Sequence, residues 1–224
     1  MKRDPLPATV LASKLIPNAR PEIVEQLIEA GGIIKFDPQR HRSLALITAD
    51  CDDVTYTALD EATKKADVDV IYARSFYGGA ANANTKLAGE ILGVLAGPNP
   101  AEARSCLEVA VDFIQNEAHF VSANEDDTIC YYAHCISRSG SYLSSTNGIA
   151  EGEAIAYLIA PPLEAMYAID AAIKAADVRV IALYNPPSET NFGGGLLTGT
   201  QSACKAACDA FANAVEFVAG QPLE

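Results

Sequence analysis

Apolar and polar positions along this chain predict a short series of strands and helices that occurs twice. In the first copy, strand patterns cover residues 43–49, 68–76 and 90–97, and helical stripes cover 54–66 and 101–115. With one further strand ahead of it, this series predicts an α+β domain. Its sheet would have about four strands, with helices on one side.

The second half of the chain repeats this pattern in its residues. Residues 58–71, ALDEATKKADVDVI, match residues 168–181, AIDAAIKAADVRVI, at nine of fourteen positions without a gap. Residues 96–106 align with residues 198–208, although the spacing between copies falls from 168 − 58 = 110 to 198 − 96 = 102 residues. The matched positions are both helix-facing and strand-facing, so the repeat is one of structure rather than composition.

Each copy follows one more strand pattern and a variable connector. The strands are residues 10–16 and 128–136. The first connector predicts a short helix over 21–32 that ends at a glycine pair, whereas residues 137–148 read as a structured turn. The chain is therefore predicted to hold two tandem α+β domains of ferredoxin-like size. The predicted domains are residues 1–120 and 121–224.

Composition and charge narrow the classes of function. The net charge is 16 − 29 = −13, which repels phosphate backbones and anionic lipids and argues against nucleic acid and membrane partners. Many small apolar residues and few charges favour broad subunit contacts, so we expect an oligomer. Neither a membrane span nor a signal peptide is predicted, and we expect a cytoplasmic protein.

Cysteine and histidine spacing predicts neither a metal site nor a catalytic one. The six cysteines lack CxxC spacing and are expected to be buried or half-buried thiols. Cys204 and Cys208 lie four residues apart but have no third soft ligand nearby in sequence. His41, His119 and His134 are scattered and are expected to be solvated or hydrogen-bonded. The serine-rich connector has no nucleophile elbow.

Acidic residues concentrate where the first strand of copy one ends. Asp52 as helix N-cap and Asp53 in the first turn would satisfy free amides and the helix dipole. With Asp50 there are three carboxylates, more than capping needs, which favours a nearby cation. Glu90 leads directly into an apolar strand and needs a partner as well. Copy two has Pro-Pro-Leu at 161–163 instead, so any charge role belongs to copy one.

Two glycine-rich loops lie at equivalent places in the copies, YGGAANANT (77–85) and PSETNFGGG (187–195). Neither opens a helix with a P-loop or dinucleotide fingerprint. Tight turns, phosphate cradles and mobile gates all fit such loops, and the residues alone favour plain turns.

Several segments together resemble a known family. They are ITADCDDVTYTALDEATKKADVDVIYARSFYGGAA, AGPNPAEAR, SRSGSYLSST, YLIAPPLEAMYAIDAA and PPSETNFGGGLLTGTQSACKAACDAF. In this order they resemble the tandem-domain shell proteins of the ethanolamine-utilisation bacterial microcompartment, from about residue 40 to residue 215. The resemblance implies two circularly permuted bacterial microcompartment (BMC) domains per chain. It also implies a homotrimer that mimics a hexamer and tiles with other shell proteins in a hexagonal layer.

The resemblance further implies roles for single residues. No cofactor would be required, although a cobalamin-type ligand stays open. A small pore in each subunit would bind ethanolamine and favour closure of a gated central pore. The ethanolamine pocket would consist of Asp52, Asp53, Glu90, Phe120 and Thr190. The gate would consist of Tyr77, Gly78, Gly79, Asn82, Asn84, Ser188, Glu189, Asn191, Phe192 and Gly193.

Two other classes of function stay open from the residues. A trimeric metabolite-sensing module would bind its ligand at subunit clefts without forming a wall. An enzyme would use the carboxylates at 50, 52, 53 and 90 as acid and base. The shell hypothesis predicts a structural protein without catalytic residues or a metal.

Overall fold

The structure is a computed structural model that describes residues 4–75, 90–185 and 192–223. The helices are α1 (Pro21–Gly31), α2 (Asp52–Thr63), α3 (Pro100–Asn116), α4 (Ser141–Asn147), α5 (Pro162–Ala175) and α6 (Gln201–Gly220). The strands are β1 (Pro5–Pro7), β2 (Val10–Ile16), β3 (Ser43–Ala49), β4 (Asp69–Ser75), β5 (Ile91–Gly97), β6 (His119–Ser122), β7 (Cys130–Ile136), β8 (Ala154–Ala160), β9 (Val178–Tyr184) and β10 (Gly193–Gly199).

The chain forms two compact units that exchange short segments. Unit 1 comprises Met1–Pro7, His119–Ser139 and Asn147–Glu224, and unit 2 comprises Ala8–Ala118 and Gly140–Thr146. The sequence predicted a single boundary at residue 120. Each of the two units also includes one short segment from the other side of that position, Met1–Pro7 in unit 1 and Gly140–Thr146 in unit 2.

Unit 2 contains a four-stranded antiparallel sheet in the order β2-β3-β5-β4. Leu44 and Val94 on one face pack against Val24 and Ile28 of α1. On the other face, the missing side chain of Gly93 leaves room for Leu59 of α2, which would lie 2.9 Å from a Cβ atom there. The sheet therefore carries helices on both faces.

The helices on both faces correct the predicted one-sided arrangement. Successive side chains of a strand point to opposite faces, and a strand buried on both sides is apolar at every position. In β5, ILGVLAG, six of seven residues are buried and none is charged. That run of apolar residues was the available signal for a second covered face.

Unit 1 contains a six-stranded sheet in the order β1-β6-β7-β8-β10-β9. The α+β class is confirmed, but β1 and β6 are two strands more than predicted. They are three and four residues long, too short for a periodic pattern. Small residues of α5, among them Ala165, Ala168 and Ala172, pack with α6 and β8 in a buried core that includes Leu158 and Phe211.

The duplication predicted from sequence is visible in the strand order. The series β2-β3-β5-β4 in unit 2 has the same order as β7-β8-β10-β9 in unit 1. The packing repeats as well: a Cβ atom at Gly93 would lie 2.9 Å from the Leu59 side chain, and one at the equivalent Gly195 would lie 3.6 Å from the Ile169 side chain. In the described parts of the chain, no helix is long and apolar enough to cross a bilayer.

The connector predicted as a turn contains a helix, α4, which corrects that prediction. Its first amides are satisfied from another helix: the Asp60 carboxylate on α2 accepts hydrogen bonds from Gly140 N–H at 2.7 Å and Leu143 N–H at 2.8 Å. Thr63 Oγ1 accepts a third from Ser141 N–H at 3.2 Å. Because this cap comes from residues about eighty positions away, the local sequence did not signal the helix.

We predict that Asp60→Ala destabilises the protein by about 2–4 kcal/mol, because it leaves two buried N–H groups without an acceptor. Urea unfolding followed by circular dichroism measures the loss. Asp209→Ala, which removes a surface carboxylate paired with Lys205 on α6, is the control and should change stability by less than about 1 kcal/mol. Equal effects of the two substitutions would contradict the capping role.

Candidate functional site

Strand pairing brings the predicted carboxylates together at one end of the sheet in unit 2. β3 and β5 are antiparallel neighbours with Ala49 opposite Ile91, so the chain leaving β3 meets the chain entering β5. Glu90 N–H donates to the Ala49 carbonyl at 2.8 Å. Glu90 thus lies beside the turn that carries Asp50, although forty residues separate them in sequence.

Helix α2 positions the other two carboxylates in its first turn. The N-cap is Cys51 in an extended conformation, not Asp52 as predicted, and its side chain makes no capping bond. Asp52 Oδ1 accepts a hydrogen bond from Asp53 N–H at 2.9 Å. Both carboxylates are buried, with 7% and 8% of their surface exposed. Burial of two acidic residues at a helix N-terminus concentrates negative charge where the helix dipole favours it.

Glu90 and Asp50 have different hydrogen-bonding and electrostatic environments. Asp50 Oδ1 accepts a hydrogen bond from Thr9 N–H at 2.6 Å, which ties it to the chain before β2. Burial, together with the charges of Asp52 and Asp50, raises the pKa of Glu90 from 4.5 to about 7. No cation in the described part of the chain opposes this shift. Glu90 is therefore partly protonated near neutral pH and would gain most from an incoming positive charge.

Tyr56 is a neighbour of the carboxylates that the sequence reasoning missed. It lies on α2 four residues after Asp52, the spacing that places two side chains on one helical face. Its hydroxyl accepts a hydrogen bond from Ser75 N–H at 3.0 Å, at the end of β4. Burial is the main cause that raises the pKa of Tyr56 to about 12, so the hydroxyl stays protonated. Helical spacing from Asp52 was the available signal.

Cys51 adds a thiol without adding charge. Burial and the charge of Asp53 raise the pKa of Cys51 well above its usual value, so the thiol stays neutral. The group therefore presents carboxylates, a phenol and a neutral thiol. This chemistry suits a cation that donates hydrogen bonds.

Two predicted residues meet in unit 1. Phe120 on β6 stacks on Tyr132 with ring centroids 5.4 Å apart and contacts the edge of Phe192 at 5.9 Å. Phe120 belongs to the predicted ethanolamine pocket and Phe192 to the predicted gate. Gly193 follows as the first residue of β10, opposite Ala160. Thr190 and the gate residues Tyr77, Gly78, Gly79, Asn82, Asn84, Ser188, Glu189 and Asn191 lie outside the described residues.

The strand after Phe192 requires glycine at one position. Gly194 has φ +150°, and a Cβ atom there would lie 1.9 Å from the Leu158 carbonyl oxygen. No other residue fits between β10 and β8 at this point. The end of the predicted gate loop is thereby fixed to the sheet within two residues of Phe192.

His41 is hydrogen-bonded within the fold, as expected. Its Nδ1 accepts a hydrogen bond from Asp37 N–H at 3.0 Å, which leaves Nε2 to donate to Asp69 Oδ2 at 3.1 Å. Arg40 also donates to Asp69, and Phe36 lies 6.1 Å from the imidazole. These contacts anchor the segment between α1 and β3 and leave no ring nitrogen for a ligand.

The cysteines also fit structural roles. All six are free, and Cys106 and Cys208, which occupy equivalent repeat positions, are buried. Burial raises the pKa of Cys106 to about 12, so the thiol is inert at neutral pH. Within the ranges 4–75, 90–185 and 192–223, no group of three His, Cys, Asp or Glu is placed to hold a metal ion.

Comparison with known proteins identifies the family. The profile of the BMC domain matches residues 43–125. Over 223 residues the chain is 65% identical to "Bacterial microcompartment shell protein EutL" of Clostridium perfringens (strain 13 / Type A), covering 100% of this chain and 99% of that protein. The chain belongs to the EutL family of bacterial microcompartment shell proteins.

Solved structures agree with this family. The crystal structure of ethanolamine utilization protein EutL from Leptotrichia buccalis is 69% identical, with a TM-score of 0.92 and 100% coverage of both chains. EtuB from Clostridium kluyveri, at 20% identity and a TM-score of 0.72, covers 95% of this chain and 90% of its own and shares the fold. Membership of the EutL family makes this chain a structural component of a microcompartment shell, not an enzyme.

We predict that Glu90→Gln changes the pH dependence of stability. The pKa of Glu90 rises from 4.5 in the unfolded chain to about 7 in the folded protein. Below pH 4.5 the carboxyl group is neutral in both states. As the pH rises from 4.5 to 7 the carboxyl group ionises more readily in the unfolded chain, so the folded protein loses stability. Glutamine stays neutral. The variant should therefore melt like the wild type near about pH 4 and at a higher temperature near about pH 8.

Differential scanning fluorimetry across this range, without added amine, makes the measurement. The control is Glu108→Gln, which changes an exposed residue of α3 and should melt in parallel with the wild type at every pH. A difference between Glu90→Gln and the wild type that is the same at all pH values would contradict the raised pKa.

Proposed function

We propose that this shell protein forms a homotrimer that mimics a hexamer and has a gated central pore. In the same proposal, its carboxylate group binds ethanolamine, and the bound amine favours the closed pore. The observation that carries the ligand part is the grouping of Glu90 with Asp52 and Asp53 at the joint end of β3 and β5. Burial and neighbouring charge raise the pKa of Glu90 to about 7.

The chemistry of this group matches a small protonated amine. An ammonium group offers three N–H donors and one positive charge, and charge-assisted hydrogen bonds to carboxylates are among the strong ones. Asp52 and Asp53 are buried, and Glu90 is partly protonated near neutral pH. An ammonium group that enters this site would therefore contact carboxylates partly removed from water, where a charge-assisted hydrogen bond is strong. Binding of an ammonium group would lower the pKa of Glu90 and release its proton near neutral pH.

A link to the gate rests on contacts within unit 1. Phe120, which the resemblance assigns to the pocket, contacts Phe192, which it assigns to the gate loop, with centroids 5.9 Å apart. A ligand shifts a conformational equilibrium only by contacting the two states differently. Movement of Phe120 would change the packing of Phe192 directly. Thr190 keeps the pocket role predicted for it, and a cobalamin-type ligand stays a prediction.

Exposed apolar side chains on unit 1 support the assembly. Exposed apolar side chains that lie together mark interaction sites such as subunit contacts. Most of the large exposed apolar residues lie on α5, β9 and α6. They are Leu163, Met166, Tyr167, Ile173, Val180, Leu183 and Phe217.

We predict that ethanolamine binds the wild-type protein and that Asp52→Asn and Glu90→Gln each weaken binding at least about tenfold, since each removes a charged acceptor. Isothermal titration calorimetry measures the affinities. Binding to the wild type should be tighter near about pH 8 than near about pH 5.5, because Glu90 ionises around its pKa of about 7. Glu90→Gln should remove this pH dependence.

The matched control for the titration is Asp112→Asn on α3, which should bind like the wild type. Affinity that is unchanged in both Asp52→Asn and Glu90→Gln would exclude these carboxylates as the binding group. Ethylene glycol, which keeps the size but lacks the positive charge, should produce no binding heat. Equal heats for the two compounds would exclude charge recognition.

For the assembly we predict a trimer in sedimentation velocity and flat hexagonal layers in negative-stain electron microscopy of the concentrated protein. We expect the exposed apolar side chains of one copy to be buried by the next, and a role in a shell requires the trimers to pack side by side in a layer. Discrete trimers without layers would favour the sensing module. A monomer at all concentrations would refute the trimer.

A further inference from the structure

The equivalent faces of α2 and α5 differ in what covers them. The repeat aligns residue n of α2 with residue n + 110 of α5, since 168 − 58 = 110. On α2 this face is buried: Asp53 is 8% and Thr57 3% exposed. The matching residues of α5, Leu163 and Tyr167, are 67% and 51% exposed. This face is therefore buried on α2 and exposed to solvent on α5.

The segment 140–146, which belongs to unit 2, contacts helix α2. Asp60 accepts hydrogen bonds from Gly140 and Leu143, and Thr63 accepts one from Ser141. The Tyr142 ring lies 6.4 Å from that of Tyr56. This segment follows strand β7 along the chain.

The duplicate of the covering segment is the start of α1. β2 and β7 each have seven residues, each pairs with the next strand of its sheet, and a four-residue gap separates each from its helix, α1 from Pro21 and α4 from Ser141. The offset is 141 − 21 = 120. Arg20 therefore corresponds to Gly140, and Ile23 to Leu143. Ile23 is 56% exposed, whereas Leu143 is buried.

The exposed face of α5 and the first turn of α1 have residues that could pair as their counterparts in α2 and the segment 140–146 do. Asp170 on α5 stands at the position of Asp60 and is the same residue type. The hydrogen bond from Ser141 N–H to Thr63 has no counterpart, because Pro21 stands at the position of Ser141 and Ile173 at the position of Thr63. Pro21 has no backbone N–H, and the side chain of Ile173 has no hydrogen-bond acceptor. A polar pair in one copy thus corresponds to an apolar pair in the other.

We propose that the first turn of α1 in one copy of the chain, residues 20–23, covers the exposed face of α5 in a second copy. Pro21 and Ile23 meet Leu163, Tyr167 and Ile173 there. The inference rests on the proposed self-assembly and specifies its contact. Because each copy carries both surfaces on different parts, the contact is head-to-tail, and a set of such contacts closes into a ring.

In the proposed contact between copies, the two helices are farther apart than α4 and α2 are within one chain. A Cβ atom at Gly140 would lie 2.3 Å from Thr63 Oγ1 and 2.6 Å from the Asp60 carbonyl oxygen. Arg20 has a Cβ atom, so α1 must stand farther from α5 than α4 does from α2. The longer Arg20 side chain spans this distance, and its guanidinium donates to Asp170. Within the described residues of one copy, Asp170 forms an exposed ion pair with Lys174 at 2.6 Å.

Disulfide trapping tests the contact in the full chain. Pro21→Cys and Ile173→Cys place two thiols at the positions that correspond to Ser141 and Thr63, where N and Oγ1 are 3.2 Å apart. After mild oxidation with oxidised glutathione, the double variant should run as covalent dimers and trimers on a non-reducing gel. A mixture of the two single variants should stop at the dimer, because each copy then supplies only one side of the contact.

The control double variant combines Pro21→Cys with Lys205→Cys, on the exposed surface of α6, and should stay monomeric on the gel together with each single variant alone. Wild-type protein that sediments as a trimer while Pro21→Cys with Ile173→Cys gives no covalent species would overturn this contact and leave the assembly standing. Wild-type protein that never leaves the monomer would overturn the assembly itself.

A second measurement tests the proposed ion pair between Arg20 of one copy and Asp170 of the next. Asp170→Ala should raise the concentration at which the oligomer dissociates by at least about tenfold, because it removes the acceptor for Arg20. Asp209→Ala removes another exposed aspartate, which pairs with Lys205 four residues away, and should leave dissociation unchanged. Analytical ultracentrifugation measures both. An equal effect of the two substitutions would remove Asp170 from the contact.

Discussion

The antiparallel pairing of β3 with β5 is the constraint on which the candidate site depends. It sets Ala49 opposite Ile91, so the turn after β3 and the residue before β5 share one end of the sheet. The equivalent pairing of β8 with β10 sets Ala160 opposite Gly193 in unit 1. One copy places buried carboxylates at this end, and the other places the end of a glycine-rich loop there. The same register thus positions both kinds of predicted functional element.

Asp60, which is buried, and Glu90, which is half-buried, show two consequences of removing a carboxyl group from water. Burial raises the pKa of Asp60 and of Glu90. Asp60 offsets that cost by accepting two backbone hydrogen bonds at the start of α4, so its role is structural. Glu90 has two neighbouring carboxylates and no described cation, so its burial opposes folding at neutral pH. A group held at such a cost is typical of binding sites.

The duplication explains how the chain can bury one helix face within itself and expose the equivalent face for contact with another copy. In unit 2 the segment 140–146 covers α2 and satisfies its own first amides from that helix. In unit 1 the equivalent face of α5 carries Leu163 and Tyr167 in contact with solvent. A repeat whose copies are not related by symmetry can keep one contact within the chain and offer its duplicate to another copy.

Local signals in the sequence determined most elements: strand alternation in β3, the apolar run of β5, and helix α3, whose Asn99 side chain accepts hydrogen bonds from two first-turn amides. They also located the duplication and the acidic residues. Only the tertiary structure decided that α4 is a helix, that α1 covers a second face of the sheet, and that Glu90 adjoins Asp52. Each of these depends on partners far apart in sequence, and periodicity and capping report only neighbours within a few residues.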